Sequence, residues 1–252
     1  MGCTPSAVIC EPMSKDTSAA VLLAVELVED SDSGLFLAMP CEYVVGEQSE
    51  FFRAIDDAAC AAQRDGLIVA FGTTPSYADT NLGYMRAGAA LADRTGFRLK
   101  TFVERPGRNE AEQLVQEKRI FWNTGMFLFD RETLQREFQT FVPQIDGCIY
   151  RAVCTGHWCG TVFHPDAAAF SNLPAISINY AIMERTERAA IVAMDAEWSA
   201  LDSRPVVRET DRTRDRNNAV GRRLYIIGGR DAGPAKRHRG HPVPHLSLHN
   251  RS

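Results

Sequence analysis

The sequence predicts an α/β protein with a largely parallel sheet covered by helices on both faces. Two observations carry this. Short apolar runs alternate along the chain with helix-spaced stretches of about 10–15 residues, the pattern of strand–helix–strand units. The apolar runs are also nearly continuous, as expected of strands buried on both faces. Composition agrees: 252 residues, 45% hydrophobic and 24% charged. These values exclude a disordered chain, a collagen-like fibre and a small disulfide scaffold, and the length suffices for a sizeable core.

Taken in order, residues 7–10 form a short apolar run ending at Glu11-Pro12. Residues 17–28 have helical spacing, with Asp16 or Thr17 as cap. Residues 35–39 read as a strand ending at Pro40, and residues 50–63 as an Ala-rich helix stopped near Gly66. Residues 67–71 form an apolar strand followed by a long polar loop with Gly72, Pro75, Gly83 and Gly88. Residues 97–103 alternate as a strand and stop at Pro106. Then come a helix over 110–118, a strand over 126–129, helices over 133–141 and 145–153, a short helix over 178–184 and a last strand over 190–194. In such sheets a ligand sits beyond the C-terminal ends of the strands.

The net charge of −4 conceals a division near Ser203. Residues 204–252 carry 12 basic and 4 acidic side chains, while residues 1–203 carry 16 basic and 28 acidic ones. This predicts an acidic folded domain over 1–203 and a basic, flexible tail over 204–252. Its histidines, His238, His241, His245 and His249, are interrupted by Pro242 and Pro244, which oppose a metal-binding helix. The strand-like Leu224-Tyr225-Ile226-Ile227 runs into glycines and Arg230, without the spacing of a phosphate-cradling loop. Seven cysteines without a CxxC pair predict thiols in a reducing compartment, not a zinc site. No apolar run nears the roughly 20 residues of a membrane span, so a cytoplasmic location is expected.

Seven segments carry recognisable chemistry. They are Glu11-Pro12 with Asp16-Thr17-Ser18-Ala19; Pro40-Cys41-Glu42-Tyr43; Phe71-Gly72-Thr73-Thr74-Pro75 with Thr80-Asn81-Leu82-Gly83-Tyr84-Met85; Phe102-Val103-Glu104-Arg105-Pro106; Trp122-Asn123-Thr124-Gly125-Met126-Phe127-Leu128-Phe129; Ser177-Ile178-Asn179-Tyr180; and Trp198-Ser199-Ala200-Leu201-Asp202-Ser203. In this order they resemble the EP-x-x-RNTAPA, PSDH, FGI-x-PT/TGYGYI, FVEKP, WNSGMFLF, SIDY and WSDVGS segments of bacterial mannose-1-phosphate guanylyltransferases, sugar nucleotidyltransferases.

The resemblance implies a Rossmann-like fold of the nucleotide-diphospho-sugar transferase type. It implies a reaction in which the phosphate oxygen of mannose 1-phosphate attacks the α-phosphorus of GTP, giving GDP-mannose and diphosphate for polysaccharide synthesis. Positioning, cations and Mg²⁺ carry such chemistry. By resemblance, Glu104 and Asn123 hold the sugar, Thr80, Gly83 and Tyr84 belong to the substrate loop, and Arg105 is the catalytic cation at the phosphate. Glu42 stands at one metal-binding position. Ala200 replaces the second metal-binding Asp, Asn179 replaces the Asp of SIDY, and Asn81-Leu82 replaces a Gly-Tyr. The family's opening strand and loop, GG-x-G-x-R-L-W-P, have no counterpart in these residues, which implies a sheet incomplete at the N-terminus. Two alternatives stand beside an active enzyme: a sugar-phosphate-binding paralogue or partner subunit without turnover, and a nucleic-acid binder using the basic tail. The acidic body and a tail without interleaved aromatics argue against nucleic acid. A homo-oligomer is left open.

Overall fold

The computed structural model describes residues 5–28, 34–40, 43–44, 47–93, 95–194, 199–200 and 225–228. The elements are β1 (Val8–Ile9), α1 (Asp16–Glu26), β2 (Leu35–Pro40), β3 (Tyr43–Val44), α2 (Gln48–Asp65), β4 (Ile68–Thr73), β5 (Tyr84–Ala90), β6 (Phe97–Val103), α3 (Arg108–Gln116) and β7 (Ile120–Asp130). After them come α4 (Arg131–Phe141), α5 (Pro143–Cys154), β8 (His157–Cys159), β9 (Val162–His164), α6 (Ala167–Ser171), a π-helical turn (Asn179–Met183), β10 (Ala189–Ala193), β11 (Ser199–Ala200) and β12 (Tyr225–Gly228).

Seven strands form the main sheet in the order β12-β2-β7-β4-β10-β6-β5, and β5 also pairs with β7. The apolar runs divide between its two faces with the two-residue period of a strand. Phe36, Ile68, Ala70, Phe127, Phe129 and Ile191 join one core with α1, α4 and α5. Val69, Phe71, Met126, Leu128, Ala190 and Val192 join the other, against the buried alanines of α2. Those small side chains, Ala54, Ala58, Ala61 and Ala62, let α2 lie close to the sheet. The helix ends at Gly66, whose φ of 57° suits a left-handed C-terminal cap. Asp130 caps α4 by accepting from the Thr133 amide at 2.8 Å.

The α/β class and the helices on both faces match the sequence reading. The strand directions do not match a largely parallel sheet. Within the main sheet only β4 and β10 pair in parallel. β7 lies between β2 and β4 and runs antiparallel to both. An apolar run shows that a strand is buried on both faces; it does not show its direction. The sequence reading places β5 in a polar loop because this strand is short of large apolar residues beyond Tyr84 and Met85.

β12 extends the sheet beyond residue 203. It pairs antiparallel with β2, Tyr225 opposite Pro40 and Gly228 opposite Leu37. β12 therefore begins beside Pro40 and ends beside Leu37. The remaining tail, including the four histidines, lies outside the described residues, as does Glu42. No helix among the described residues is long and apolar enough to cross a membrane.

Candidate functional site

The predicted residues among those described gather where β5 begins, between the end of β6 and the middle of β7. Tyr84 pairs with both Val103 and Trp122. The Asn123 amide donates to the Gly83 carbonyl at 2.8 Å. Gly83 is the meeting point: a Cβ there would fall 2.8 Å from Glu104 Oε2 and 3.0 Å from Phe102 Cζ. The chain needs glycine at this position because the Glu104 carboxylate lies against its Cα.

Glu104 follows the last residue of β6, and its side chain is only 8% exposed. Burial raises its pKa; the neighbouring Arg105 charge and a hydrogen bond from Asn179 Nδ2, at 2.9 Å, oppose that rise. Glu184 and Asp16 push it upward again. Arg105 is 60% exposed, with Nε 3.6 Å from Glu104 Oε1. Its φ of 45° is in the left-handed region, a strained position for a non-glycine residue. Buried Pro106 follows and fixes the direction in which the chain leaves.

Asn123 is buried, and its Oδ1 accepts from the Gly125 amide at 3.1 Å. Its Nδ2 makes no hydrogen bond among the described residues. The amide is thus oriented by a local turn with its donor end left over. Tyr84 contributes backbone: its ring is fully buried in a cluster with Leu114, Ile120 and Trp122. Its hydroxyl donates to the Asp79 carbonyl at 3.0 Å and accepts from the Asp79 amide at 2.8 Å, fixing the loop before Gly83. Thr80 is exposed in the turn that Asp79 closes through Asn81. The structure joins Gly83, Glu104, Arg105 and Asn123 and leaves Thr80 on the rim.

Sequence reasoning sees Asn179 only as a departure and misses its bond to Glu104. The signal is its position in the SIDY-like segment, 75 residues from Glu104 in the chain. Sequence reasoning also takes Thr17 as a possible cap of α1. Thr17 Oγ1 instead accepts from the Ile178 amide at 2.9 Å, and Lys15 precedes the helix without a side-chain cap.

A carboxylate, an amide donor and a guanidinium around a bare Cα form a set suited to hydroxyls beside an anion. The model of the nucleotidyl transferase family matches residues 4–156. The chain belongs to that family. This nucleotidyl transferase chain is similar to the mannose-1-phosphate guanylyltransferase of Sinorhizobium fredii, 31% identical over 205 residues, covering 81% of this chain and 40% of the relative. It is similar to the alginate biosynthesis protein AlgA of Pseudomonas putida, 36% identical over 195 residues, covering 76% and 40%. Among solved structures it is similar to a mannose-1-phosphate geranyltransferase from Thermus thermophilus, with a TM-score of 0.65 and 28% identity, covering 75% of this chain and 52% of that one. The chain spans less than half the length of these two curated relatives.

The resemblance implies Mg²⁺ between positions 42 and 200. β11 pairs with β3, Ala200 opposite Tyr43, so the fold brings the two segments together. Position 200 carries a methyl group and no oxygen donor. A two-carboxylate magnesium site does not fit these residues. No group of three or more His, Cys, Asp or Glu among the described residues could hold a metal.

Proposed function

We propose that this chain is a mannose-1-phosphate guanylyltransferase-like protein of GDP-mannose and polysaccharide biosynthesis, and that its described residues form the sugar-phosphate half of the site. The observation that carries this is the convergence on Gly83, with Glu104 against its Cα and the Asn123 amide on its carbonyl. In this reading Glu104 accepts from sugar hydroxyls, Asn123 Nδ2 donates to one, and Arg105 offsets the phosphate charge. A guanidinium grips phosphate through two parallel hydrogen bonds. Held so, the phosphate oxygen is oriented to attack the α-phosphorus of GTP, with diphosphate leaving. A cytoplasmic location belongs to this reading.

Ala200 favours a second reading: the chain binds the sugar phosphate without turnover. One experiment separates the two. The chain is incubated with GTP, mannose 1-phosphate and Mg²⁺, diphosphate release is followed, and sugar-proton contact is read by saturation-transfer NMR. Contact with release supports the enzyme, and contact without release supports the binding protein. Absence of contact contradicts both.

A further inference from the structure

Asn179 opens the π-helical turn, and that turn is stapled to the start of α1. The Ile178 amide donates to Thr17 Oγ1 at 2.9 Å, and the Ser18 amide to the Ile176 carbonyl at 3.3 Å. π-helical turns are rare and often mark functional positions. From this fixed base Asn179 Nδ2 donates to Glu104 Oε2, while its Oδ1 is buried without a partner. The amide keeps this orientation because the reverse would set two acceptors against each other.

Four groups act on the Glu104 carboxylate. Arg105 comes from its own chain neighbour, Asn179 and Glu184 from the turn and its end, and Asp16 from the start of α1. Two of them are acids, one is a cation, and Asn179 is the neutral donor. An Asp at position 179, as in the related segment, would be a third acid in direct contact. This chain has exchanged that carboxylate for a donor.

We infer that Asn179 is a positioning residue that holds the buried Glu104 carboxylate by its Oε2 and aims it at Gly83, so that a hydroxyl-bearing ligand meets an oriented acceptor. For its ligand this rests on the sugar-phosphate reading above; the coupling of the two side chains does not. With Asp at 179 the pair would share a proton and titrate in two steps belonging to both.

The test is ¹³C-carboxyl NMR of Glu104 in the full chain, with wild type, Asn179→Asp and Asn179→Ala. The Asp variant is isosteric, and circular dichroism checks that both fold. Asn179→Ala raises the Glu104 midpoint, and Asn179→Asp splits it into two steps. Calorimetry with mannose 1-phosphate gives the ratio of variant to wild-type Kd at each pH, which cancels the ligand's own titration. For Asn179→Asp that ratio is at least about tenfold near pH 8 and narrows near pH 5.5. A Glu104 titration identical in all three proteins overturns the inference, as does a pH-independent ratio. Shifted titrations with no mannose 1-phosphate binding to wild type sustain the coupling and overturn the sugar-phosphate reading instead.

Discussion

Gly83 has no room for a side chain, and that gives a sharp test at the level of single residues. A methyl group there meets Glu104 Oε2 at 2.8 Å, the end of a flexible side chain, and the edge of the buried Phe102 ring at 3.0 Å. Gly83→Ala should therefore leave the unfolding midpoint within a few degrees of wild type but weaken mannose 1-phosphate binding by about tenfold or more, since a charge-assisted hydrogen bond is worth roughly 1.5–3 kcal/mol. Calorimetry and thermal unfolding measured together check this; unaltered binding would show that Glu104 does not touch the ligand. Glu11 offers a second residue-level test. Burial raises its carboxyl pKa from 4.5 to about 7, and Oε1 is buried without a hydrogen-bond partner. Between those values the folded chain holds a proton that the unfolded chain has released. This group therefore makes stability fall as pH rises through that window, with the full loss present above about 7. Glu11→Gln should unfold at a higher temperature than wild type near pH 8, by a few degrees for about 1 kcal/mol, and the gain should vanish near pH 4.5. An equal gain at both pH values would mean that charge is not the cause. That Gly83, Glu104, Arg105 and Asn123 come together was expected from the resemblance of their short segments to family segments, and their roles belong to the proposal above. The bond between Asn179 and Glu104 was not legible in the sequence, because two segments far apart in the chain meet only through the sheet and the π-helical turn.

Among the elements, β12 changes the picture most. The sequence reading gives a basic, flexible tail after residue 203 with a strand-like run at 224–227, and Tyr225–Gly228 forms the edge of the main sheet beside β2. β12 is a four-residue edge strand paired on one side only, so truncation after Ser203 should lower the unfolding midpoint by only a few degrees. It should also speed amide exchange on the side of β2 that faces β12. Unchanged exchange in β2 would mean that the strand is not held there in solution. Tyr225 lies opposite Pro40 and Gly228 opposite Leu37, so the chain enters β12 at the Pro40 end of β2. The positions of β2, β4 and β10 were readable from apolar runs, and those of α1, α2, α4 and α5 from their periodicity and Gly66. Strand order and direction were not, because burial on both faces reads the same for parallel and antiparallel neighbours. The hairpin of β8 and β9 escapes the sequence reading for a related reason. Its residues are mostly exposed, with Phe163 the one deeply buried side chain, so no apolar run announces it.

For the whole molecule, the described residues keep the cluster at Gly83 on a two-layered core, while position 200 lacks the second metal carboxylate of the related segment. The sugar-phosphate half should therefore be the part whose binding can be measured directly. Calorimetric titration of the full chain with mannose 1-phosphate, set against inorganic phosphate, tests this most directly. Binding is expected in the millimolar range or tighter, stronger for the sugar phosphate than for phosphate alone, and weakened about ten- to a hundredfold by Arg105→Ala. Mannose 1-phosphate that binds no better than inorganic phosphate, or that binds Arg105→Ala as well as wild type, would contradict it.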